Sequence, residues 1–226
     1  MGWPVWIRDG SEVEPSLYAA DFRRLGEQVD ELLAAGCRVF HFDTGDGHFV
    51  PPVTIGPVVL RSIAEGIHAV GGVLDCHLMV TDPAHHFEEF AASGADSVTF
   101  HVEATDDPAR VAAEARGHGL AVGVSLSPGT SPEEAATAAE AAAADLVLLM
   151  SIWPGYSGQS FMPESVGRVE RLAELVSCPI QVDGGVGPSN ARALRDAGAS
   201  LLVAGSAIFS DPEPAGAYRR LAALVA

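Results

Sequence analysis

The chain has 226 residues, 48% of them hydrophobic, with 24 Gly and 15 Pro, the composition of a soluble globular protein. Thirteen cations against 30 acidic residues leave a formal charge of −17, and all thirteen cations are arginine. The lack of lysine excludes Schiff-base catalysis, a lysine general base and a P-loop lysine, and the acidic balance argues against nucleic acid or an anionic membrane surface as partner.

Along the chain, short β-rich apolar runs alternate with longer helical stretches. Candidate strands end near Leu17, Phe42, Leu78, His101, Ser125, Met150, Val182 and Ala204, at intervals of 22 to 36 residues. Phe22, Leu25, Val29, Leu32 and Leu33 predict a helix over Asp21–Ala35. Val166, Val169, Leu172 and Leu175 predict another over Glu164–Val176. The Ala-rich run 135–144 reads as a helix, since alanine is the best helix former. Asp82-Pro83, Ser131-Pro132 and Pro188-Ser189 mark helix starts; Gly36, Gly94, Gly119 and Gly198 mark helix ends. Eight βα units without a linker or composition break predict a single (β/α)8 barrel over residues 1–226. The rival, a doubly wound open sheet, needs a Gly-rich dinucleotide fingerprint that is missing.

No apolar run reaches the roughly 20 residues that span a bilayer, and the start, Met1-Gly2-Trp3-Pro4, lacks the pattern of a signal peptide. Cys37, Cys76 and Cys178 suit reduced core thiols, so a cytoplasmic protein is expected.

Chemistry in such barrels collects at the C-terminal strand ends, and here those ends are polar. The second strand places His41 and Asp43 on one face at period two, the third ends Asp75-Cys76-His77-Leu78-Met79, and the seventh ends in Asp183. Two imidazoles and two carboxylates from three strands can converge on one divalent metal: Zn²⁺, Fe²⁺, Mn²⁺ or Co²⁺. His68, His85, His86 and His118 fall on helices or their ends and are expected in solvent. His101 ends the fourth strand, a position that can line the site, but without a carboxylate in register. Glycine turns follow the last strands: Pro154-Gly155-Tyr156-Ser157-Gly158-Gln159, Asp183-Gly184-Gly185-Val186 and Ala204-Gly205-Ser206-Ala207. Such turns let backbone amides receive a phosphate, which this lysine-free chain must bind without an ammonium.

Ordered motifs over nearly the whole length carry a resemblance. They are Pro15-Ser16-Leu17 with Ala20-Asp21-Phe22; His41-Phe42-Asp43 leading into Asp46-Gly47-His48-Phe49-Val50-Pro51; and Asp75-Cys76-His77-Leu78-Met79. Further on come His101-Val102-Glu103-Ala104, Leu148-Leu149-Met150-Ser151, Pro154-Gly155 with Gly158-Gln159, Val182 to Val186, and Ala204 to Phe209. With these, the chain resembles the ribulose-phosphate 3-epimerase family, whose barrel is of the ribulose-phosphate binding type. The resemblance implies a metal on His41, Asp43, His77 and Asp183, and Asp43 and Asp183 as the acid/base pair. It also implies a sugar phosphate held by Ser16, His77, Met79, Met150, Gly155, Tyr156, Ser157, Gly158, Gly184, Gly185, Gly205 and Ser206. The implied reaction interconverts D-ribulose 5-phosphate and D-xylulose 5-phosphate through a metal-stabilised cis-enediolate, and the implied assembly is a homo-oligomer.

The departures gather at the sugar end. Thr44-Gly45 replaces a hydrophobic pair, Pro52 an Asn, Trp153 an Asn and Ser157 a Gly of the family pattern. Loss of a methionine at Gly45 is expected to open the reacting centre, with Trp153 refilling the space. Two other readings therefore stay open: a different ketose phosphate such as D-allulose 6-phosphate, or a non-catalytic sugar-phosphate binder.

Overall fold

A computed structural model describes residues 11–226; the start of the chain considered above, Met1 to Pro4, lies outside the described residues. Eight parallel strands form one sheet: β1 (Glu12–Pro15), β2 (Val39–Gly45), β3 (Val73–Met79), β4 (Ser97–His101), β5 (Ala121–Leu126), β6 (Leu146–Met150), β7 (Ile180–Asp183) and β8 (Leu201–Ala204). Their order is β1-β8-β7-β6-β5-β4-β3-β2, and a parallel bridge from Ser16 to His41 joins the two ends. The result is the expected (β/α)8 barrel. The helices are α1 (Leu25–Ala34), α2 (Pro57–Ala69), α3 (Phe87–Ala92), α4 (Pro108–Gly117), α5 (Pro132–Ala142), α6 (Ser165–Leu175), α7 (Ala191–Asp196), α8 (Ser206–Phe209) and α9 (Pro214–Val225). Among them, none is long and apolar enough to cross a membrane.

Local chemistry accounts for most boundaries. The start of α5 is a capping box: Ser131 accepts from the Glu134 amide, and the Glu134 side chain accepts from the Ser131 amide. Gly36, Gly94, Gly119 and Gly198 close their helices in the left-handed region, as expected. Ala143, at φ 47°, does the same after α5 without being glycine. Two expectations need correction. The helix predicted from Asp21 begins at Leu25, because the Asp21 carboxylate captures the Arg23 amide in a turn and leaves Phe22 half exposed. Strand β2 runs on to Gly45, because the following loop folds back onto it: Gly45 N–H donates to Thr54 Oγ1, which donates to the Asp43 carbonyl.

The larger apolar core lies between sheet and helices, with Phe40, Phe42, Phe87, Phe90 and Phe100 fully buried. A second, smaller core fills the inside of the barrel, from Val39, Val73, Ala121 and Leu201 up to Leu148 and Met150. Cys37 and Cys76 are buried thiols, Cys178 is half-buried, and all three are free. The inside of the barrel also holds Glu14, His41, Asp75, Thr99, Ser125 and Gln181, all fully buried. Glu14, His41, Asp75 and Gln181 find partners in one another, whereas the hydroxyls of Thr99 and Ser125 have none among the described residues; burying an unpaired polar group costs about 1–3 kcal/mol.

Candidate active site

Strand register decides which side chains meet. Pairing of β2 with β3 sets His41 opposite Asp75 and Asp43 opposite His77, and pairing of β6 with β7 sets Met150 opposite Asp183. His41, Asp43, His77 and Asp183 thereby each offer one ligand atom, all within 4.8 Å of one another. Asp43 Oδ1 stands 3.2 Å from His41 Nε2 and 3.1 Å from His77 Nδ1, and Asp183 Oδ2 stands 3.9 Å from His77 Nδ1.

The outer partners of both rings say what belongs in the middle. His41 Nδ1 lies 3.1 Å from Asp75 Oδ2, an acceptor, so in the neutral ring the proton sits there and Nε2 presents a lone pair to Asp43. His41 Nε2, His77 Nδ1 and the carboxyl groups of Asp43 and Asp183 thus face one point, and this donor set fits a borderline divalent metal. The charges around His41 likewise favour a cation there. Burial pulls its pKa down, but Asp43, Asp75 and Glu14 outweigh that and hold it well above the ordinary value.

The two carboxyls are driven apart. Burial raises Asp43, yet the His41 and His77 rings hold it below the usual carboxylate range. Burial and the neighbouring Asp43 charge push Asp183 up to about 7. Ser16 Oγ donates to Asp43 Oδ2 at 2.6 Å, so this residue orients a carboxylate as well as lining the site.

Above these groups opens a pocket at the C-terminal mouth of the barrel. Ser16, Asp43, Met79, Met150, Gly155, Tyr156, Ser157, Gly158, Asp183, Gly184, Gly185, Gly205 and Ser206 all line it. His77 is fully buried and lies beneath it, with both ring nitrogens engaged. The glycine turns are held close to one another. A Cβ on Gly185, whose φ is 63°, would meet the Phe161 amide nitrogen at 2.7 Å, and one on Gly205 would lie 3.6 Å from Ser157 Oγ. Tyr18, Ile152, Val186 and Val203 complete the lining; nothing in their residue types had marked them.

The departures read differently in three dimensions. A Cβ on Gly45 would meet Val50 Cγ2 at 2.7 Å and the Pro52 carbonyl at 2.8 Å. Glycine is there because the 46–56 loop packs onto the strand, so its loss of a side chain opens no space. Trp153 does not refill the centre: it is 58% exposed and leans toward Gly129, outside the pocket lining. His101 does have a carboxylate, contrary to expectation. Glu103 Oε2 lies 3.1 Å from its Nδ1, reached through the 3₁₀ turn Val102–Ala104 rather than along the strand. His68, His85 and His118 are exposed as expected, His68 with Asp96 at 2.9 Å, and His86 is half-buried.

The layer below the site had not been assigned a role. Asp75 Oδ1 accepts from Ser97 Oγ at 2.7 Å, and the Gln181 amide donates to Asp75 Oδ2 at 2.7 Å and to Glu14 Oε2 at 2.6 Å. Glu14 is 3.6 Å from His41 Nδ1, and burial pushes its pKa up to about 7. The signal was present in the sequence: Glu14, Asp75 and Gln181 each stand two residues before Ser16, His77 and Asp183, on the same strand faces.

Comparison with known proteins places the chain in a family. The Ribulose-phosphate 3 epimerase family matches residues 12–209. The cytoplasmic isoform of ribulose-phosphate 3-epimerase from Oryza sativa is 41% identical over 207 residues, 90% of each chain. The Escherichia coli ribulose-phosphate 3-epimerase is 37% identical over 89% of this chain and 90% of its own, and that of Mycobacterium bovis is 39% identical over 94% and 92%. Among solved structures, 3-hexulose-6-phosphate synthase from Salmonella typhimurium superposes with a TM-score of 0.72 at 16% identity, covering 95% of this chain and 98% of that one; at this distance only the fold is shared. The matched length and identity make this chain a member of the ribulose-phosphate 3-epimerase family, carbohydrate isomerases.

Proposed function

We propose that the protein interconverts D-ribulose 5-phosphate and D-xylulose 5-phosphate by inverting carbon 3. The observation that carries the reading is the convergence of His41, Asp43, His77 and Asp183 within 4.8 Å, on the floor of a pocket ringed by glycine turns. His41, Asp43, His77 and Asp183 would hold one divalent ion, which when bound offsets negative charge growing on the substrate oxygens, typically by several kcal/mol.

The chain's own residues do the rest. Inversion requires a proton to leave one face of carbon 3 and another to arrive on the opposite face. Asp43 and Asp183 come from β2 and β7, on different sides of the pocket floor. Without a metal the two carboxyls are already inequivalent, Asp43 held below the usual carboxylate range by the two imidazoles and Asp183 pushed above it by burial and the Asp43 charge. Each positioned group of this kind typically contributes a factor of 10² to 10⁴. Ser16 fixes the direction of Asp43. Met79 and Met150 give the reacting carbon an apolar wall. The turns at Gly155–Gly158, Gly184–Gly185 and Gly205–Ser206 would receive the phosphate, with Ser157 and Ser206 adding hydroxyls.

Following carbon 3 of ribulose 5-phosphate by NMR in D₂O, with Zn²⁺, Mn²⁺, Fe²⁺ or Co²⁺ supplied in turn, tests this. Deuterium uptake and xylulose 5-phosphate formation are expected; their absence with every metal would overturn the assignment. The alternative of a larger ketose phosphate loses two of its three motives, with Gly45 closed by the loop and Trp153 outside the pocket, and keeps the third, Ser157, which lines the pocket. A Trp153→Ala variant is accordingly expected to keep kcat/KM for ribulose 5-phosphate within about threefold, less than the change from one lost methylene contact in a specificity pocket.

A further inference from the structure

We propose that Glu103 and His101 are positioning residues, which fix the proton of His77 on Nε2 and so aim its Nδ1 lone pair at Asp43 and Asp183. The inference rests on the reading of His77 as a metal ligand. A continuous chain carries it. Glu103 Oε2 is 3.1 Å from His101 Nδ1, His101 Nε2 is 2.9 Å from His77 Nε2, and His77 Nδ1 is 3.1 Å from Asp43 Oδ1.

The two Nε2 atoms face each other, so with both rings neutral one must carry a proton and the other must be bare. Glu103 decides which. Its Oε1 accepts from the Ser127 amide at 2.8 Å and from Thr130 Oγ1 at 2.5 Å, so the carboxylate is pinned and has only acceptor capacity left for His101. His101 therefore carries its proton on Nδ1 and presents a bare Nε2. His77 must then donate from its Nε2, which leaves Nδ1 bare. Reversing the chain would put an N–H on His77 Nδ1, pointing at the place where a cation belongs.

The surroundings keep the two rings dry and the chain fixed. His77 and His101 are fully buried, stacked with ring centroids 5.0 Å apart, and Phe49 covers His101 at 4.8 Å. Arg168 on α6 donates to the carbonyls of Ser127 and Thr130, holding the loop that pins Glu103. His101 is absent from the pocket lining and from the convergent set, so its part is to orient His77 rather than to touch substrate.

Glu103→Gln is the discriminating variant. The serine and threonine donors would claim the amide oxygen and turn the NH₂ toward His101 Nδ1, which inverts every donor in the chain. The full-length protein, ¹⁵N-labelled at histidine and treated with chelator, would be read by long-range ¹H–¹⁵N correlation and then titrated with Zn²⁺. Expected are His77 protonated on Nε2 in the wild type and on Nδ1 in Glu103→Gln, with Zn²⁺ affinity lower by 10- to 100-fold, the usual cost of losing an outer partner of a metal-bound histidine. Glu103→Asp, which keeps an acceptor, should retain the wild-type tautomer and recover part of the affinity. Wild-type His77 protonated on Nδ1, or a Glu103→Gln variant with unchanged tautomer and affinity, overturns the proposal. Should Glu103→Gln fail to fold, the wild-type tautomer alone decides. Failure of wild-type protein to bind Zn²⁺ would instead strike the ligand reading, which the tautomer measurement keeps separate.

Discussion

His41 and His77 sit side by side and face the same carboxylate, yet they are backed in opposite ways. Behind His41 lies a carboxylate in direct contact, Asp75, tied to Ser97 and Gln181, with every member fully buried inside the barrel. Behind His77 lies a second imidazole, and the carboxylate comes only after it: Glu103, whose side chain is 28% exposed, held by the loop after β5. Both arrangements put a ring nitrogen within 3.2 Å of Asp43 Oδ1. The first is built from strand residues and is as rigid as the barrel. The second leads out to the mouth and depends on loop residues, so it can be perturbed without opening the core.

Four substitutions probe that contrast, from the largest expected effect to the smallest. Asp43→Asn acts where the two arrangements converge, and it should lower carbon 3 exchange in D₂O about 10³-fold while the fold survives by circular dichroism. Asp75→Ala strips the sealed side, stranding a buried imidazole and the Gln181 amide; urea unfolding should register a loss of about 3–5 kcal/mol. If it costs no more than its counterpart Glu103→Ala, the contrast between sealed and open sides fails.

Glu103→Ala should cost less, about 1–2 kcal/mol at pH 7 after allowance for its exposure, and the loss should depend on pH. Burial raises the Glu103 carboxyl, but His101, Thr130 and the Ser127 amide outweigh it and hold the group down to about 2 from 4.5. A lowered carboxyl stabilises the fold fully above pH 4.5 and ceases to do so as pH falls through 2. Wild type and variant should thus converge in unfolding free energy as pH is lowered from 5 toward 2. A gap that stays constant over that range would show that packing, not charge, sets it. Thr130→Val removes one of the two anchors of Glu103 and should cost less than about 1 kcal/mol in the same urea experiment.

The four convergent residues could be read from residue type and strand position because each lies on a strand in a chain where strands and helices alternate regularly. Their partners could not be placed in the same way. Asp75 was visible beside His77, but its task depends on the β2/β3 register that sets it opposite His41. Glu103 reaches His101 only because a 3₁₀ turn bends the chain back after β4. Gly45 and Trp153 looked like changes in the pocket, but close packing by Val50 and Pro52 and an outward-leaning ring made them features of the loops.

Sequence alone determined the barrel, the polar strand ends and the glycine turns. Periodicity, helix caps and glycine conformations are local properties written in neighbouring residues. Only the tertiary structure decided what backs each ligand and what shapes the sugar end. Hydrogen-bond direction in a dry interior is set by every donor and acceptor along a chain of contacts, and those contacts join residues as distant as Glu14 and Gln181. The strong negative charge of the sequence likewise says nothing about the site: there, two imidazoles, two carboxylates and their buried partners define locally where a cation belongs.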